Sequence, residues 1–393
     1  MEEKTRVYTK EELVRLGCEK PIINTSPQPK YCMANQDYGM TIGVAVTHGG
    51  RIFVCWVGGG DSDKAFFLVS RSDDKGESFT EPFLVIDPHS PELPCTRSTI
   101  VGNLWVDPDN RLWLFFNQSL AWFDGTNSNW FIRCDNPDAE ELVWTEPQYI
   151  SWGCSLNKPL ILSSGEWLLP VSLWKREYIN MQLYNMQLPA DIGEELDDMR
   201  MANIFSSKDK GNTWVRKGGV VIPDTDFDEH MFVEKEDKSI WLLARTRTLG
   251  LQQSFSYDGG ATWTTPQKAP MQSVCSRFNF RRLKSGNLLL IKHGKELETA
   301  ANGREWLTAF LSEDDGNTWS KGFVLDERSG ISYPDSDQDK DGNIYITYDR
   351  NRDLDGEIIM ARLTEDDIIS GRICTENSFI KRVVRKPGKL CKD

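Results

Sequence analysis

One short pattern dominates the chain and comes back four times. It occupies Ser72, Asp74, Gly76, Ser78 and Phe79, then Ser207, Asp209, Gly211, Thr213 and Trp214. It returns at Ser256, Asp258, Gly260, Thr262 and Trp263, and at Ser312, Asp314, Gly316, Thr318 and Trp319. Each residue type suits a tight turn. The Asp carboxylate accepts from backbone amides, the Gly supplies a left-handed conformation, and the aromatic ring anchors the turn on a core. The last three copies begin 49 and 56 residues apart, whereas the first gap is 135 residues, room for one unit whose signature has decayed. That unit runs from Phe131 through Cys134, Asp135 and Asp138 to Trp144 and Pro147. Strand-rich repeats of roughly 40–50 residues mark propeller blades.

Pairs of β-rich runs with turn residues between them occur six times. They are Thr41–Thr47 with Arg51–Val57, Gly102–Val106 with Arg111–Phe116, and Leu160–Leu162 with Glu166–Val171. The others are Met231–Glu234 with Ser239–Ala244, Phe278–Leu283 with Asn287–Lys292, and Ser336–Gln338 with Asn343–Tyr348. The expected fold is all-β, a six-bladed β-propeller forming one domain over residues 31–370. An N-terminal extension over 1–30 and a C-terminal tail over 371–393 flank it. Helix signals are short: Thr9–Leu16, with Thr9 as cap and Glu12 three residues on, then Asp191–Arg200 and Thr364–Ser370. The insert from Arg176 to Arg200 exceeds what a hairpin needs and is expected to wall a pocket or cover it.

Composition narrows the function classes. The 14 Trp, 10 Tyr and 18 Phe are far too many for a disordered chain. No apolar run is long enough for a membrane-spanning helix. A net charge of −13 opposes a nucleic-acid partner. The nine cysteines form no CxxC pair and are read as buried thiols. The first residues carry no apolar leader, so the expected location is cytoplasmic, or periplasmic or secreted if a leader was removed. No cofactor and no metal is expected. Asp337, Asp339 and Asp341 imitate the start of a calcium loop, but Tyr348 stands where a bidentate Glu is needed, so the stretch is read as a hairpin turn. The four histidines have no metal spacing.

The repeats resemble the Asp-boxes, or bacterial neuraminidase repeats, of the sialidase superfamily, over residues 38–363. The resemblance implies a glycosidase acting on a terminal acidic sugar of a glycan, such as sialic acid or a related sugar acid. It also implies three arginines on the substrate carboxylate, a Tyr nucleophile polarised by a Glu, and an Asp acid/base. Tyr333, with Asp335 just beyond it, resembles the tyrosine run entering the last blade, and Glu229 resembles its proton acceptor. Arg245 and Arg304 resemble two of the three arginines, and a guanidinium fork suits a carboxylate. Asp61 or Asp63, in a glycine-rich loop, stands where the acid/base is expected, with Asp61 preferred.

The resemblance fails at the first arginine. Asp37–Ile42 holds none, so Arg97, Lys158 or Arg277 is expected to substitute, or the specificity differs. His230 is a second general-base candidate, and His293 is expected to face the channel. Trp174, with Trp122, Phe123 and Trp130, is placed to stack on sugar faces or to pack in the core. Two rival functions stand beside the hydrolase. One is a lyase in which His230 or His293 and a Tyr remove the proton alpha to a uronate carboxylate. The other is a carbohydrate-binding propeller without catalysis.

Overall fold

A computed structural model describes residues 8–179 and 187–388. These form six antiparallel sheets, each the blade of one propeller. The first blade is Met40–Val46, Ile52–Gly58, Phe66–Ser72 and Leu84–Ile86. The second is Gly102–Val106, Leu112–Leu120, Ser128–Cys134 and Gln148–Trp152, with the short Arg97–Ser98 added. The third is Leu160–Ile161, Trp167–Ser172, Ala202–Ser207 and Val215–Val220. The fourth is Met231–Glu234, Ile240–Ala244, Gln252–Ser256 and Gln267–Lys268. The fifth is Asn279–Arg282, Leu288–His293, Leu307–Ser312 and Phe323–Asp326. The sixth is Ile331–Gln338, Ile344–Arg350, Glu357–Leu363 and Phe379–Arg385.

The six hairpins read in the sequence are the inner two strands of the six blades. The tail boundary expected at residue 371 is corrected: Phe379–Arg385 pairs with Glu357–Leu363 and completes the sixth blade. Thr9 caps the helix Lys10–Gly17 in a capping box with Glu12, and Thr364 caps Glu365–Ser370. The helix expected at 191–200 is a 3-10 turn, Glu194–Met199. Asp339 closes a hairpin turn by accepting from the amides of Asp341 and Asn343, at 2.9 and 2.8 Å.

The repeated pattern forms the same bonded turn four times. In the third blade Ser207 Oγ donates to Asp209 Oδ1 at 2.7 Å and accepts from Gly211 N at 2.8 Å, while Asp209 accepts from Thr213 N at 2.9 Å. The glycine of each turn lies against the preceding blade. A Cβ on Gly211 would sit 2.6 Å from Trp113, one on Gly316 2.6 Å from Trp241, and one on Gly76 3.1 Å from Met360. The last contact closes the ring, since Gly76 belongs to the first blade and Met360 to the sixth. Arg382 adds bonds to Gly76 O at 3.2 Å and Glu77 at 2.8 Å. In the channel, Val44 N and Val46 N donate to Asp335 and Asp337 at 3.0 and 2.8 Å.

The decayed unit of the second blade makes the same kind of joint by other means. Asp138 accepts from Gly49 N at 3.1 Å, and also from Thr47 Oγ1, both on the first hairpin. Trp214, Trp263 and Trp319 occupy equivalent positions but differ in depth. Trp214 is buried among Phe115, Trp167 and Phe205, whereas Trp263 and Trp319 are half-buried, their Nε1 donating to Gly260 O and Gly316 O.

Two glycines separate backbone strain from packing. Gly165 (φ 86°) and Gly211 (φ 83°) are both left-handed, but nothing lies within 4 Å of a Cβ at Gly165. Gly165→Ala should cost about 1 kcal/mol and Gly211→Ala about 1–3 kcal/mol more. Denaturant midpoints at constant slope would measure both, and equal losses would refute the blade-to-blade packing.

Candidate active site

A cavity of about 250 Å³ opens where the innermost strands begin. Arg245, Arg304, Arg352, Glu229, Asp61 and Tyr333 bring charge or reactivity to it, and Met40, Ile100, Val101, Trp122, Trp174 and Phe227 give it an apolar side. The blades thus deliver Tyr333, Glu229, Arg245, Arg304, Asp61 and Trp174 to one place.

Tyr333 and Glu229 touch. The Tyr333 hydroxyl donates to Glu229 Oε1 at 2.8 Å, and Arg245 Nη1 donates to the same oxygen at 2.8 Å. Both residues have left-handed backbone, with φ 54° at Tyr333 and 45° at Glu229. In the sixth blade the pairing register shifts between Ser332 and Asp335, and that irregularity carries Tyr333. In the fourth, Asp228 and Glu229 precede the strand, and Arg245 N ties back to Asp228 O at 2.9 Å. Burial, then the Glu229 charge, pushes the Tyr333 hydroxyl up to about 12, against the pull of the three arginines. The phenol is therefore neutral near pH 7.

The guanidiniums differ in what balances them. Arg245 pairs with Glu229, and Arg352 pairs with Asp349 at 2.8 Å. Arg304 has no carboxylate partner among the described residues. It bonds Ser332 Oγ at 2.9 Å and Cys275 O at 3.2 Å. Burial holds the Arg304 pKa below its usual value, with Arg352 and Arg245 adding repulsion. Asp61 accepts from Trp122 Nε1 at 3.2 Å at the rim.

Arg352 is the residue that sequence reasoning missed. It follows the second strand of the sixth blade, as Arg245 follows the second strand of the fourth. Its guanidinium stacks on the Tyr333 ring, 4.0 Å from the centroid. A place just past a second strand, shared with Arg245, is the signal that points to Arg352, with Arg350 ending that strand.

The proposed substitutes for the first arginine lie elsewhere. Arg97 bonds Leu16 O at 2.8 Å and Glu19 at 2.9 Å, fastening the N-terminal segment. Lys158 and Arg277 both pair with Asp335, Arg277 at 3.1 Å, so Asp335 is a buried ionic core of the channel and does not line the cavity. Asp63 is buried and accepts from Thr96 Oγ1 at 2.5 Å. His230 and His293 are also buried. Their Nε2 atoms donate to Asn203 O at 2.9 Å and Ile331 O at 2.8 Å. Burial lowers them to about 4 and about 3, so both stay neutral. Trp174 meets Trp122 and Phe227, with ring centroids 5.1 and 5.0 Å away. Tyr178, in the long insert, packs on Phe227 at 5.1 Å, so that insert backs the aromatic wall; its residues 180–186 lie outside the described residues.

A family model described as a BNR repeat-like domain matches residues 50–346, and the chain belongs to that family, within the sialidase-like superfamily. Solved structures of the same fold include a Dyadobacter fermentans protein of unknown function, 17% identical, with TM-score 0.59, covering 86% of this chain and 95% of that one. The Hadza microbial sialidase Hz136 is 17% identical, with TM-score 0.62 and coverages of 84% and 66%. The intramolecular trans-sialidase from Ruminococcus gnavus, in complex with oseltamivir carboxylate, is 13% identical, with TM-score 0.61 and coverages of 90% and 99%. No curated protein matches the chain.

Asp228, beside Glu229, gives a titration to measure. It is buried, its Oδ1 has no partner among the described residues, and burial raises it to about 7 from 3.8. The folded state then holds a proton that the unfolded state has released. Stability relative to Asp228→Asn should be greatest below pH 4 and fall as pH rises through about 7. Chemical denaturation of both proteins from pH 4 to 8 would show it, and parallel curves would contradict it.

Proposed function

We propose that the chain is a retaining exo-glycosidase that removes a terminal carboxylate-bearing sugar, sialic acid or a related sugar acid, from a glycan. One observation carries the reading: a neutral tyrosine hydroxyl lies 2.8 Å from a carboxylate, beside a guanidinium that pairs with no carboxylate among the described residues. The substrate carboxylate supplies the missing negative charge on Arg304, flanked by Arg245 and Arg352. A cavity of about 250 Å³ suits one sugar residue, and the aromatic side packs on its apolar face.

In this reading Tyr333 Oη attacks the anomeric carbon as Glu229 takes the phenolic proton. Asp61 protonates the departing glycosidic oxygen, then deprotonates the water that releases the sugar from Tyr333. A neutral phenol approaches a carbon bearing a carboxylate with less repulsion than Asp or Glu would. Arg352 stands in for the arginine absent from the first blade. Two features weigh against the rivals. A lyase needs a base near the substrate, and His230 and His293 are sealed against backbone carbonyls. A pure binding site has no need of two strained residues in mutual contact.

Two outcomes are expected on an acidic-glycan library read by mass spectrometry. Tyr333→Phe should lower turnover at least about a thousand-fold while ligand binding changes little. Arg352→Ala should lower kcat/KM by about two orders of magnitude, at about 1.4 kcal/mol per tenfold. Near-normal hydrolysis by Tyr333→Phe, or an unsaturated product absorbing in the ultraviolet, would defeat the reading.

A further inference from the structure

Lys292 lies in the second strand of the fifth blade, fully buried, and pairs with no carboxylate among the described residues. Its ammonium donates instead to three carbonyl oxygens: His293 O at 2.9 Å, Glu296 O at 2.6 Å and Thr299 O at 3.2 Å. An ammonium has three N–H donors, so every donor meets one acceptor. Burying such a charge without a counter-charge is costly unless its bonds are complete. What those bonds gather is the segment 294–303, which leads directly into Arg304. That segment is fastened at other points by Gly294 N to Trp306 O and Gln272 N to Leu297 O, each at 2.9 Å, and by Ile331 N to Arg304 O at 3.1 Å.

We propose that Lys292 is a positioning residue: by holding two carbonyls of that loop and the last carbonyl of its own strand, it fixes the loop and the direction in which Arg304 presents its guanidinium to the cavity. The proposal rests on the reading of Arg304 as a ligand of the substrate carboxylate. It has a consequence in proton count. A neutral amine has two N–H donors, so deprotonation leaves one carbonyl unpartnered, and Thr299 O is the most distant. Burial lowers Lys292 to about 7, with the Glu296 carboxylate on the loop favouring the charged form. His293, on the same strand, is neutral, and the facing strand Leu307–Ser312 offers the Phe310 ring, 5.3 Å from Nζ. The loop also carries Lys295, over the Trp306 ring, and Glu298, and Arg304 follows its far end. The loop should therefore loosen as pH rises through about 7.

Hydrogen exchange resolved by mass spectrometry tests the tether without any substrate. In Lys292→Met, amides of residues 295–303 should exchange about ten-fold faster or more, while the inner strands of the other five blades keep their protection. In the unsubstituted protein, exchange of the same amides, corrected for the intrinsic base-catalysed rate, should rise between pH 6 and 8.5. In Lys292→Met it should be flat. Steady-state kinetics supply the second arm: Lys292→Met should raise KM for an acidic substrate about ten-fold, with kcat changed much less. Unchanged loop exchange in Lys292→Met would overturn the tether whatever the enzyme acts on. A loosened loop with unchanged KM would overturn the positioning role, provided Arg304→Ala raises KM. If Arg304→Ala also leaves KM unchanged, the carboxylate reading of Arg304 has failed, and the positioning role falls with it. Should Lys292→Met fail to fold, Lys292→Gln, whose amide has two N–H donors, decides instead: faster exchange of amides 295–303 supports the tether, and unchanged exchange overturns it.

Discussion

The architecture depends on one contact made again and again: a left-handed glycine in a bonded turn, pressed against the blade before it. Gly211 meets Trp113, Gly316 meets Trp241, and Gly260 meets Ile204 and Leu168. The Ser and Asp of the pattern consume the polar groups of the turn, so it can be pushed against aromatic and aliphatic surface without leaving amides unbonded. Because each contact reaches backward by one blade, the turns set the pitch of the ring. The first turn reaches the sixth blade and shuts it. Among the described residues no strand is exchanged between the first and last blades, and closure comes from Gly76 against Met360, Arg382 on Gly76 and Glu77, Asp335 and Asp337 on the first inner strand, and the flanking Gly388 N to Met33 O bond at 2.8 Å. The cavity draws residues from every blade, so its geometry is only as good as that ring.

Most of this was legible because the turn chemistry is local. A Ser, an Asp, a Gly and an aromatic at fixed spacing describe one hairpin, and six hairpins describe six blades. The outermost strand of the last blade was not legible. In Phe379–Arg385 the apolar residues Ile380, Val383 and Val384 are interrupted by Lys381, Arg382 and Arg385, which removes the period-two signal of a half-buried strand. Its partner strand fixes it, and that is a non-local fact. The site divides in the same way. Tyr333, Glu229, Arg245 and Arg304 were readable through the resemblance to the sialidase superfamily, the first three at the edges of inner hairpins and Arg304 before a third strand. Lys158, Arg277 and Asp335 were misplaced because sequence tells that a charge is near the channel, not how deep it lies. One level further in, those three satisfy one another. Arg352 escaped notice because substitutes were sought before inner strands, at Arg97, Lys158 and Arg277, whereas it lies past the second strand of the sixth blade, which the ring brings beside the start of the first.

The buried charges read at first as substrate ligands have another use, and it explains how the reactive pair persists. Left-handed backbone at a residue other than glycine costs about 1–3 kcal/mol and survives only where its surroundings over-determine it. Asp228, Glu229 and Tyr333 are all in that state. Arg277 Nε holds Asn157 Oδ1 at 2.9 Å, and Asn157 Nδ2 donates to Glu229 O at 3.1 Å and His230 O at 3.0 Å. The same arginine, with Lys158, grips Asp335, two residues past Tyr333. His293 fastens Ile331 O, two residues before it. One buried guanidinium thus reaches both strained residues through a single intermediary each. The polar core of the channel is a brace whose two arms end at the tyrosine and the glutamate. These ionic side chains lie off the cavity that holds Tyr333, and Lys158 and Asp335 line a second one. Breaking the Arg277 bonds would free both the Asn157 arm to Glu229 and the Asp335 arm to Tyr333.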